Sequence, residues 1–341
     1  MHVVFATNKL INGGGERVLA QLITGVRTAG GAATILFLGT KRALVAEIRA
    51  EMEAAGAKVV MATSAFKAVR ALQSATSLHL YNVNVYAKML PLLPLFRRIP
   101  VICHVHGAAE SANVLARRLF QARWNPCDEI IFVSEAGRTS WGISRGRVVF
   151  NPVTFPGPRI AALPAARETL SLLSVNRLVP VKRVAAQLEI LARLRGIHGL
   201  DARLDIIGEG PELHSLQAHA EGLNLGSALC LIGARSHDDV LRLYPDYDAF
   251  LATSAAEGLG LSLIEALAAG LHGFAAPIPA YREVAGVGGG VTFIDPESPQ
   301  EAAKDIATRA TTSSLPVADR TALISAFDEK RFIARMLEFY R

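Results

Sequence analysis

Hydrophobic and polar positions in the first half of the chain follow an alternating plan of short β-rich runs and longer helical patterns. The β-rich runs are His2–Thr7, Ala33–Leu38, Lys58–Met61, Ser77–Tyr81, Pro100–Val105, Glu129–Val133 and Arg147–Phe150. Strands that alternate with helices predict βαβ units, and such units build a parallel sheet. We therefore expect a doubly wound, Rossmann-like α/β domain over residues 1–151.

The pattern changes over residues 152–168. The stretch PVTFPGPRIAALP at 152–164 holds four prolines and no hydrophobic period, which predicts an interdomain linker. Strand-like runs then resume at Leu170–Val175, Arg203–Ile207, Ala228–Ile232, Ala249–Thr253 and Gly273–Ala276. Two helical patterns close the chain, Val317–Phe327 and Glu329–Tyr340, and we expect the last helix to pack back on the N-terminal domain. The sequence thus predicts a second doubly wound domain over residues 169–341, with the two domains facing a central cleft.

Composition narrows the class of protein. The chain has 341 residues, of which 51% are hydrophobic, and that is enough for two domains with their own cores. No run approaches the roughly 18 apolar residues of a membrane span, and the N-terminal MHVVFATN lacks the basic region of a signal peptide. The three scattered cysteines, Cys103, Cys127 and Cys230, suit a reducing compartment, so we expect a cytoplasmic protein. Zinc ligation by Cys103-His104-x-His106 is disfavoured because no second pair of ligands follows at finger-like spacing.

Charge is divided unevenly between the two halves. Residues 1–150 carry 18 Lys and Arg against 8 Asp and Glu, a balance of +10, whereas residues 151–341 have a balance of −4. This asymmetry indicates an anionic partner for the first half, either nucleic acid or a phospholipid surface. Nucleic acid is disfavoured, because the basic stretches lack interleaved aromatic residues on which bases could stack.

One basic stretch, Val114–Trp124, combines Arg117, Arg118 and Arg123 with apolar residues. The arginines fall on one side of a predicted helix, and Leu115, Leu119 and Phe120 lie near the other. A basic amphipathic helix with Phe and Trp is typical of the edge of a bilayer. The alternative is an ordinary helix that packs on the sheet and turns its basic face to water. We expect an anionic membrane surface as a partner, with peripheral association at its cytoplasmic face.

A glycine loop follows the first strand and opens a helix at Gly13-Gly14-Gly15-Glu16. Glycines there let backbone N–H groups approach an anion closely, and the helix N-terminus favours negative charge. A flexible connecting loop is the alternative. A dinucleotide fingerprint would need a third glycine at Val18 and an acidic residue at the end of the second strand. Neither is present, which disfavours nicotinamide binding.

The richest segment for chemistry is Ser254–Gly270, which follows a buried strand and continues into an apolar helix. Gly258 and Gly260 open the backbone so that amides can face a phosphate, and the helix directs its positive end into the same space. We expect Glu257 in the loop and Glu265 in the first turn of the helix. Because Ser262-x-x-Glu265 is also a capping-box sequence, Glu265 could alternatively bond back to the helix cap.

This segment resembles the E-x7-E signature of the retaining glycosyltransferases of family 4, which have the GT-B fold. Other pieces are similar to motifs of that family and occur in the same order along the chain. They are the glycine loop, His104-Val105-His106-Gly107, Val133-Ser134, Asn151-Pro152-Val153, the stretch Ser174–Lys182, and Ile207-Gly208-Glu209-Gly210-Pro211-Glu212. The resemblance covers nearly the whole chain, although Pro277–Glu283 lacks the glycine pair that is usual in the family.

The resemblance implies a hexosyltransferase that uses a UDP- or GDP-sugar to glycosylate a glycan or a lipid-linked acceptor, in cell-surface polysaccharide or glycolipid synthesis. It implies that Glu257 and His106 contact the transferred sugar and that Glu265 binds the nucleotide ribose. The donor-binding set is Gly13, Gly14, Arg177, Lys182, Gly258, Leu259, Gly260 and Glu265. Arg177 and Lys182 are suited to stabilise the departing diphosphate. The alternative is that both cations are solvated, and His106 could likewise be a strand-end residue without a ligand.

No metal or other cofactor is expected. Asp246-Tyr-Asp248 spells a D-x-D, which holds a divalent cation in a different transferase fold, but here it precedes a strand and indicates turn chemistry. Three other functions remain open. The same fold can carry a sugar-nucleotide epimerase or a sugar phosphorylase, and a non-catalytic module could bind nucleotide sugars or nucleic acid.

Overall fold

The computed structural model describes residues 1–11, 13–96, 98–122, 125–157, 169–312 and 315–341. The chain divides into two compact units. The first comprises Met1–Pro152 together with Phe327–Arg341, and the second comprises Val153–Ala326. Most of the predicted linker, residues 158–168, lies outside the described residues.

Within the described residues, seven parallel strands form the sheet of the first unit in the order β3-β2-β1-β4-β5-β6-β7. The strands are β1 (His2–Thr7), β2 (Ala32–Phe37), β3 (Ala57–Met61), β4 (Ser77–Leu80), β5 (Val101–Val105), β6 (Glu129–Phe132) and β7 (Arg147–Val148). The helices are α1 (Gly14–Thr28), α2 (Ala46–Ala54), α3 (Ala65–Leu72), α4 (Val83–Met89), α5 (Val114–Phe120) and α6 (Glu135–Trp141). Every run predicted as a strand is one, with ends that differ by at most two residues.

The sheet of the first unit is covered on both faces. Val4 and Ala6 of β1 belong to one core cluster, whereas Val3 and Phe5 belong to the other. Successive side chains of a strand point to opposite faces, so a strand buried on both sides reads as a continuous apolar run. This explains why β1 contains no alternation of polar and apolar residues.

Within the described part of the chain, six parallel strands form the sheet of the second unit in the order β10-β9-β8-β11-β12-β13. The strands are β8 (Leu170–Val175), β9 (Ala202–Ile207), β10 (Leu229–Gly233), β11 (Ala249–Ala252), β12 (His272–Ala275) and β13 (Val291–Phe293). The helices are α7 (Val184–Gly196), α8 (Leu213–Gly222), α9 (His237–Leu243), α10 (Leu261–Ala269), α11 (Pro279–Gly288), α12 (Pro299–Thr312) and α13 (Arg320–Ala326). The prediction of two doubly wound parallel sheets is confirmed.

The edge strand β13 was not predicted from the sequence. It has three residues, each only half-buried, and it follows the glycines Gly288, Gly289 and Gly290. A run this short carries too little hydrophobic signal to be distinguished from a loop. Pairing with β12 nevertheless supplies its backbone partners.

The last helix, α14 (Glu329–Glu338), belongs to the first unit and packs on α1. Gly25 of α1 permits this contact, because a Cβ at that position would lie 2.5 Å from a side-chain carbon of Ile333. Beyond the helix, Tyr340 is buried, and its hydroxyl lies 2.5 Å from Nδ1 of His79 on β4. No helix among the described residues is both long enough and apolar enough to cross a membrane.

Candidate functional site

The strand order of the second sheet reverses between β8 and β11, since β9 and β10 continue on one side and β12 and β13 on the other. In open parallel sheets, ligands bind outside the carboxyl ends of the strands at such a reversal. The chain after β8 carries Arg177, and the chain after β11 carries Ser254 and Glu257. The topology therefore brings two of the segments identified in the sequence to one edge of the sheet.

Lys182 ends a single 3₁₀ turn in the connection from β8 to α7. The next residue, Arg183, has a left-handed φ of 50°, which costs a residue with a Cβ about 1–2 kcal/mol. Two hydrogen bonds tie this turn to the segment after β11. The hydroxyl of Thr253 donates to the carbonyl oxygen of Lys182 at 2.9 Å, and the amide of Ala255 donates to that of Val181 at 2.8 Å. The two connections are thus fixed to each other.

Glu257 is the centre of the arrangement. Its Oε1 accepts hydrogen bonds from the ammonium of Lys182, from the hydroxyl of Ser254 at 2.8 Å and from the hydroxyl of Tyr281 at 3.2 Å. The side chains of Lys182 and Glu257 are each only 17% exposed. Such partly buried charge-assisted bonds are stronger than bonds between neutral groups. The site therefore holds a cation and a carboxylate in fixed positions beside the end of β11.

Tyr281 comes from α11 and is buried. Burial raises the pKa of its hydroxyl well above the usual range, and the negative charge of Glu257 raises it further. The hydroxyl therefore stays protonated at neutral pH and acts as a donor to Glu257. The ring also fixes the identity of Gly260, because a Cβ there would lie 2.7 Å from a ring carbon of Tyr281.

Gly260 caps the N-terminus of α10 with a left-handed φ of 95°, a conformation that favours glycine. Gly258 and Leu259, which precede it, are buried. This arrangement places the glycine segment directly before the positive end of α10, as the anion-binding interpretation requires. In the first unit, Gly13 caps the N-terminus of α1 with extended backbone angles, and Gly14 is the first residue of that helix.

The position predicted for Glu265 is wrong in one respect. Because the left-handed cap is at Gly260, α10 begins at Leu261, and Glu265 falls in the second turn rather than the first. Its carboxylate does not form a capping box. Instead, Nε2 of His237 lies 2.9 Å from Oε1, and the hydroxyl of Tyr244 donates to Oε2 at 2.9 Å.

Two further motifs of the second unit have clear positions. Arg177 is exposed at the end of β8. The turn at Gly208 and Gly210 packs directly against the same segment, since a Cβ at Gly208 would lie 1.7 Å from the carbonyl oxygen of Asn176. The amide of Leu178 donates to the carbonyl oxygen of Glu209 at 2.8 Å. This close backbone packing fixes the path of the chain that presents Arg177.

The D-x-D lies before β11, at the opposite end of the sheet from Glu257. Asp248 is buried, and its Oδ2 accepts bonds from the amide of Ser171 at 2.9 Å and from the hydroxyl of Ser171 at 2.7 Å. Its role is therefore to join the starts of β8 and β11. Among the described residues, no group of three or more His, Cys, Asp or Glu side chains is arranged to hold a metal ion.

In the first unit, His106 follows β5 directly and lies between two rings that are tilted against its own. Its centroid lies 4.0 Å from that of His104 and 4.2 Å from that of Tyr81. Its Nδ1 is 3.3 Å from Nδ2 of Asn151, while its buried Nε2 has no hydrogen-bond partner among the described residues. Buried polar atoms are nearly always paired, so such an atom is a candidate contact for a ligand hydroxyl.

His79 and His104 extend this group into the core. Burial lowers the pKa of His106 to about 3, and burial together with the neighbouring His106 lowers that of His79 to about 3. Burial also holds the pKa of His104 well below its usual range, with further contributions from the other two rings. All three imidazoles are therefore neutral at physiological pH, so His106 can exchange hydrogen bonds with a ligand hydroxyl but does not offer a positive charge.

Several residues around these groups were not identified from the sequence. Four residues contact the predicted site residues or their neighbours, although none of the four was predicted as a site residue: Tyr281, His237, Tyr244 and His79. Tyr281 lies in the stretch Pro277–Glu283, which lacks the glycine pair that is usual in the family. That departure was the sequence signal that could have identified Tyr281. For the other three residues the sequence carries no local signal, because the contacts depend on tertiary packing.

Part of the chain matches the model of a known protein family. Residues 160–315 match the model of the family described as glycosyl transferases group 1. This range includes Arg177, Lys182, Glu257 and Glu265. Among curated proteins, none matches the chain.

Solved structures with the same fold span the whole chain. Anabaena HepE (Alr3699), solved with UDP and glucose, is 18% identical with a TM-score of 0.79 and covers 99% of this chain and 98% of its own. The sucrose-phosphate synthase of Thermosynechococcus elongatus is 15% identical with a TM-score of 0.78, covering 100% and 98%. The lipopolysaccharide outer core galactosyltransferase WaaB is 18% identical with a TM-score of 0.72, covering 99% of both chains. The predicted GT-B fold is thereby confirmed.

Proposed function

We propose that the protein is a retaining glycosyltransferase that transfers a sugar from a UDP- or GDP-sugar to a glycan or lipid-linked acceptor. The observation that carries the proposal is the contact between Lys182 and Glu257 at the strand-order reversal of the second unit. This contact lies within the segment that matches the group 1 glycosyl transferase model. HepE was solved with UDP and with UDP-glucose, which makes UDP-sugars the first donors to test.

In this proposal each polar group has a distinct task. Arg177 and Lys182 bind the diphosphate, which gains negative charge as it departs, and amides near Gly258 and Gly260 add to that stabilisation. Glu257 binds hydroxyls of the donor sugar, and Glu265 binds the ribose. His106, being neutral, contacts the transferred sugar. The first unit holds the acceptor.

The proposed chemistry is a front-face displacement. The acceptor oxygen forms a bond to the anomeric carbon on the side from which the diphosphate leaves, and the bond between that carbon and the phosphate oxygen breaks. The departing phosphate takes the acceptor proton. Because the new bond forms on the face from which the diphosphate leaves, the configuration is retained without a covalent enzyme intermediate. No metal takes part in this scheme, because the cations of Arg177 and Lys182 balance the developing charge.

Product analysis tests the reaction class. Incubation with a UDP- or GDP-sugar and a panel of glycan and lipid-linked acceptors should release the nucleoside diphosphate and yield an acceptor that is heavier by one sugar. Mass spectrometry detects the acceptor, and NMR of its anomeric proton reports the configuration. An altered nucleotide sugar formed without any acceptor would indicate an epimerase. Release of a sugar phosphate from a glycan, in a parallel incubation with inorganic phosphate, would indicate a phosphorylase.

The same assay with EDTA examines the absence of a metal. Turnover should persist at its original rate after chelation. Complete loss of turnover that is restored by magnesium or manganese would contradict the scheme. It would indicate that carboxylates such as those of the D-x-D bind a metal.

A lipid-linked acceptor would place the protein at the cytoplasmic face of a membrane, and α5 is the proposed contact. Val114 and Leu115 are 66% and 65% exposed beside the exposed Arg118. Phe120, which was expected on the apolar side of the membrane-binding helix, is instead buried against Tyr86 and Trp141. Arg123 and Trp124 lie outside the described residues.

Vesicle sedimentation tests this contact. Wild type should pellet with vesicles rich in anionic phospholipid at low salt. The double variant Arg117→Glu, Arg118→Glu should be released, because each basic residue near such a surface contributes about 1 kcal/mol. The control Lys41→Glu, Arg42→Glu makes the same change of charge at exposed positions elsewhere in the first unit and should still pellet. Wild type that stays in the supernatant would remove the membrane from the proposal and favour a soluble acceptor.

A further inference from the structure

Glu265 is the most enclosed carboxylate of the candidate site. Its side chain is 5% exposed, and that of its partner His237 is 18% exposed. His237 approaches Oε1 and Tyr244 donates to Oε2, so each oxygen has its own partner. A carboxylate that is held at both oxygens has one orientation, in contrast to a solvated carboxylate that rotates freely.

Both partners come from one short segment. His237 is the first residue of α9, and Tyr244 follows the last residue of that helix. Seven residues correspond to almost two helical turns, so the two side chains lie on the same side of the segment. Ser236 fixes the start of the helix by accepting a hydrogen bond from the amide of Asp239 at 3.2 Å. Tyr244 is fully buried, which fixes the other end.

These contacts are compatible with a ligand at Glu265. An ionised carboxylate has about four acceptor positions, two on each oxygen, so an oxygen that accepts one hydrogen bond can accept a second. A ribose presents two neighbouring hydroxyls, and it can bond to a carboxylate only where the oxygens point towards it. A carboxylate with fixed oxygens binds such a pair without first losing rotational freedom, which favours affinity.

We propose that His237 and Tyr244 are positioning residues for Glu265, and that they give the protein a preference for ribonucleotides over nucleotides without ribose hydroxyls. The proposal rests on the proposed function, in which Glu265 accepts hydrogen bonds from the ribose of the donor. His237 and Tyr244 do not touch the ligand. They act by holding the carboxylate that does.

The test compares binding of UDP and GDP with binding of their 2′,3′-dideoxy analogues by isothermal titration. His237→Leu should weaken binding of the ribonucleotide about tenfold, the size expected for the loss of one bond to a charged group, and leave binding of the dideoxy analogue unchanged. Tyr244→Phe should have the same selective effect while it keeps the buried ring. His237→Gln retains an N–H donor and should recover most of the affinity. His214→Leu, at an exposed position on α8, is the control.

Different outcomes separate the two proposals. If Glu265→Gln weakens binding of the ribonucleotide and of its dideoxy analogue equally, or weakens neither, Glu265 does not bind ribose. The inference then fails together with that part of the proposed function. If Glu265→Gln weakens only binding of the ribonucleotide, but His237→Leu and Tyr244→Phe weaken binding of the ribonucleotide and of the dideoxy analogue equally, His237 and Tyr244 have only a structural role. Unchanged binding in those two variants would also overturn the inference, while the proposed function would stand.

Discussion

Glu257→Gln should lower the rate of sugar transfer by a factor on the order of 10² or more, the cost of removing one preorganised group that stabilises a transition state. The carboxylate accepts three hydrogen bonds at Oε1, among them one from the ammonium of Lys182. Glutamine has the same shape but no negative charge, so it would neither pair with Lys182 nor bind the hydroxyls of the donor sugar as strongly. Transfer should therefore fall while the fold persists.

Steady-state rates at saturating donor, together with circular dichroism of the variant, measure this effect. Glu297→Gln is the matched control, because it removes a carboxylate of the same unit that is 68% exposed and paired with Arg183. It should retain nearly full activity. Turnover near that of wild type in Glu257→Gln would show that Glu257 has no part in the reaction.

Acidification should destabilise the first unit well before its carboxylates are protonated. The pKa of His79 and that of His106 are each lowered to about 3 in the folded protein, chiefly by burial. An unfolded histidine has a pKa of about 6.5, so between these values the unfolded chain binds more protons than the folded one. The stability that these neutral imidazoles contribute is therefore fully present above pH 6.5, and it is lost as the pH drops towards 3. At pH 5 the loss should be on the order of 2 kcal/mol for each of the two residues.

Tryptophan fluorescence is the appropriate probe, because both tryptophans, Trp124 and Trp141, fall within the sequence range of the first unit. Urea unfolding followed at pH 7.5 and pH 5 should show a clear fall in the free energy of unfolding. His104→Leu should reduce that fall, since it removes a further buried imidazole whose pKa is held well below its usual range. His214→Gln, at an exposed position of the second unit, should leave it unchanged. Equal stability at the two pH values would mean that the imidazoles are not buried as the structure shows them.

The sequence predicted the architecture because parallel strands buried on both faces produce distinctive apolar runs. The run that became β1 is an example, and β13 is the counterexample, with three half-buried residues at the edge of a sheet. The start of α10 was misplaced for a different reason. Gly260 caps the helix with a left-handed φ, so α10 begins before Ser262, and Ser262 and Glu265 do not form the capping box that their spacing suggested.

The polar site was predictable only in its motif residues. Lys182 and Glu257 are 75 residues apart in the sequence, and nothing in the local sequence indicates that their side chains are in contact. The same holds for Tyr281, which reaches Glu257 from another helix, and for His237, which reaches Glu265. Motifs locate the groups that carry the chemistry, but the residues that orient those groups are fixed by packing between elements and become visible only in the structure.

The most direct test of a donor site at Lys182 and Glu257 is a thermal-shift panel of UDP-, GDP- and ADP-sugars. A ligand at 100 times its Kd should stabilise the wild type by about 2.7 kcal/mol. The double variant Arg177→Ala, Lys182→Ala should lose this shift, because both charge-assisted contacts to the diphosphate are removed. The control Lys304→Ala, Arg309→Ala, which removes two exposed cations from α12, should keep it. A full shift in the Arg177→Ala, Lys182→Ala variant, or no shift of the wild type with any nucleotide sugar, would contradict the proposed site.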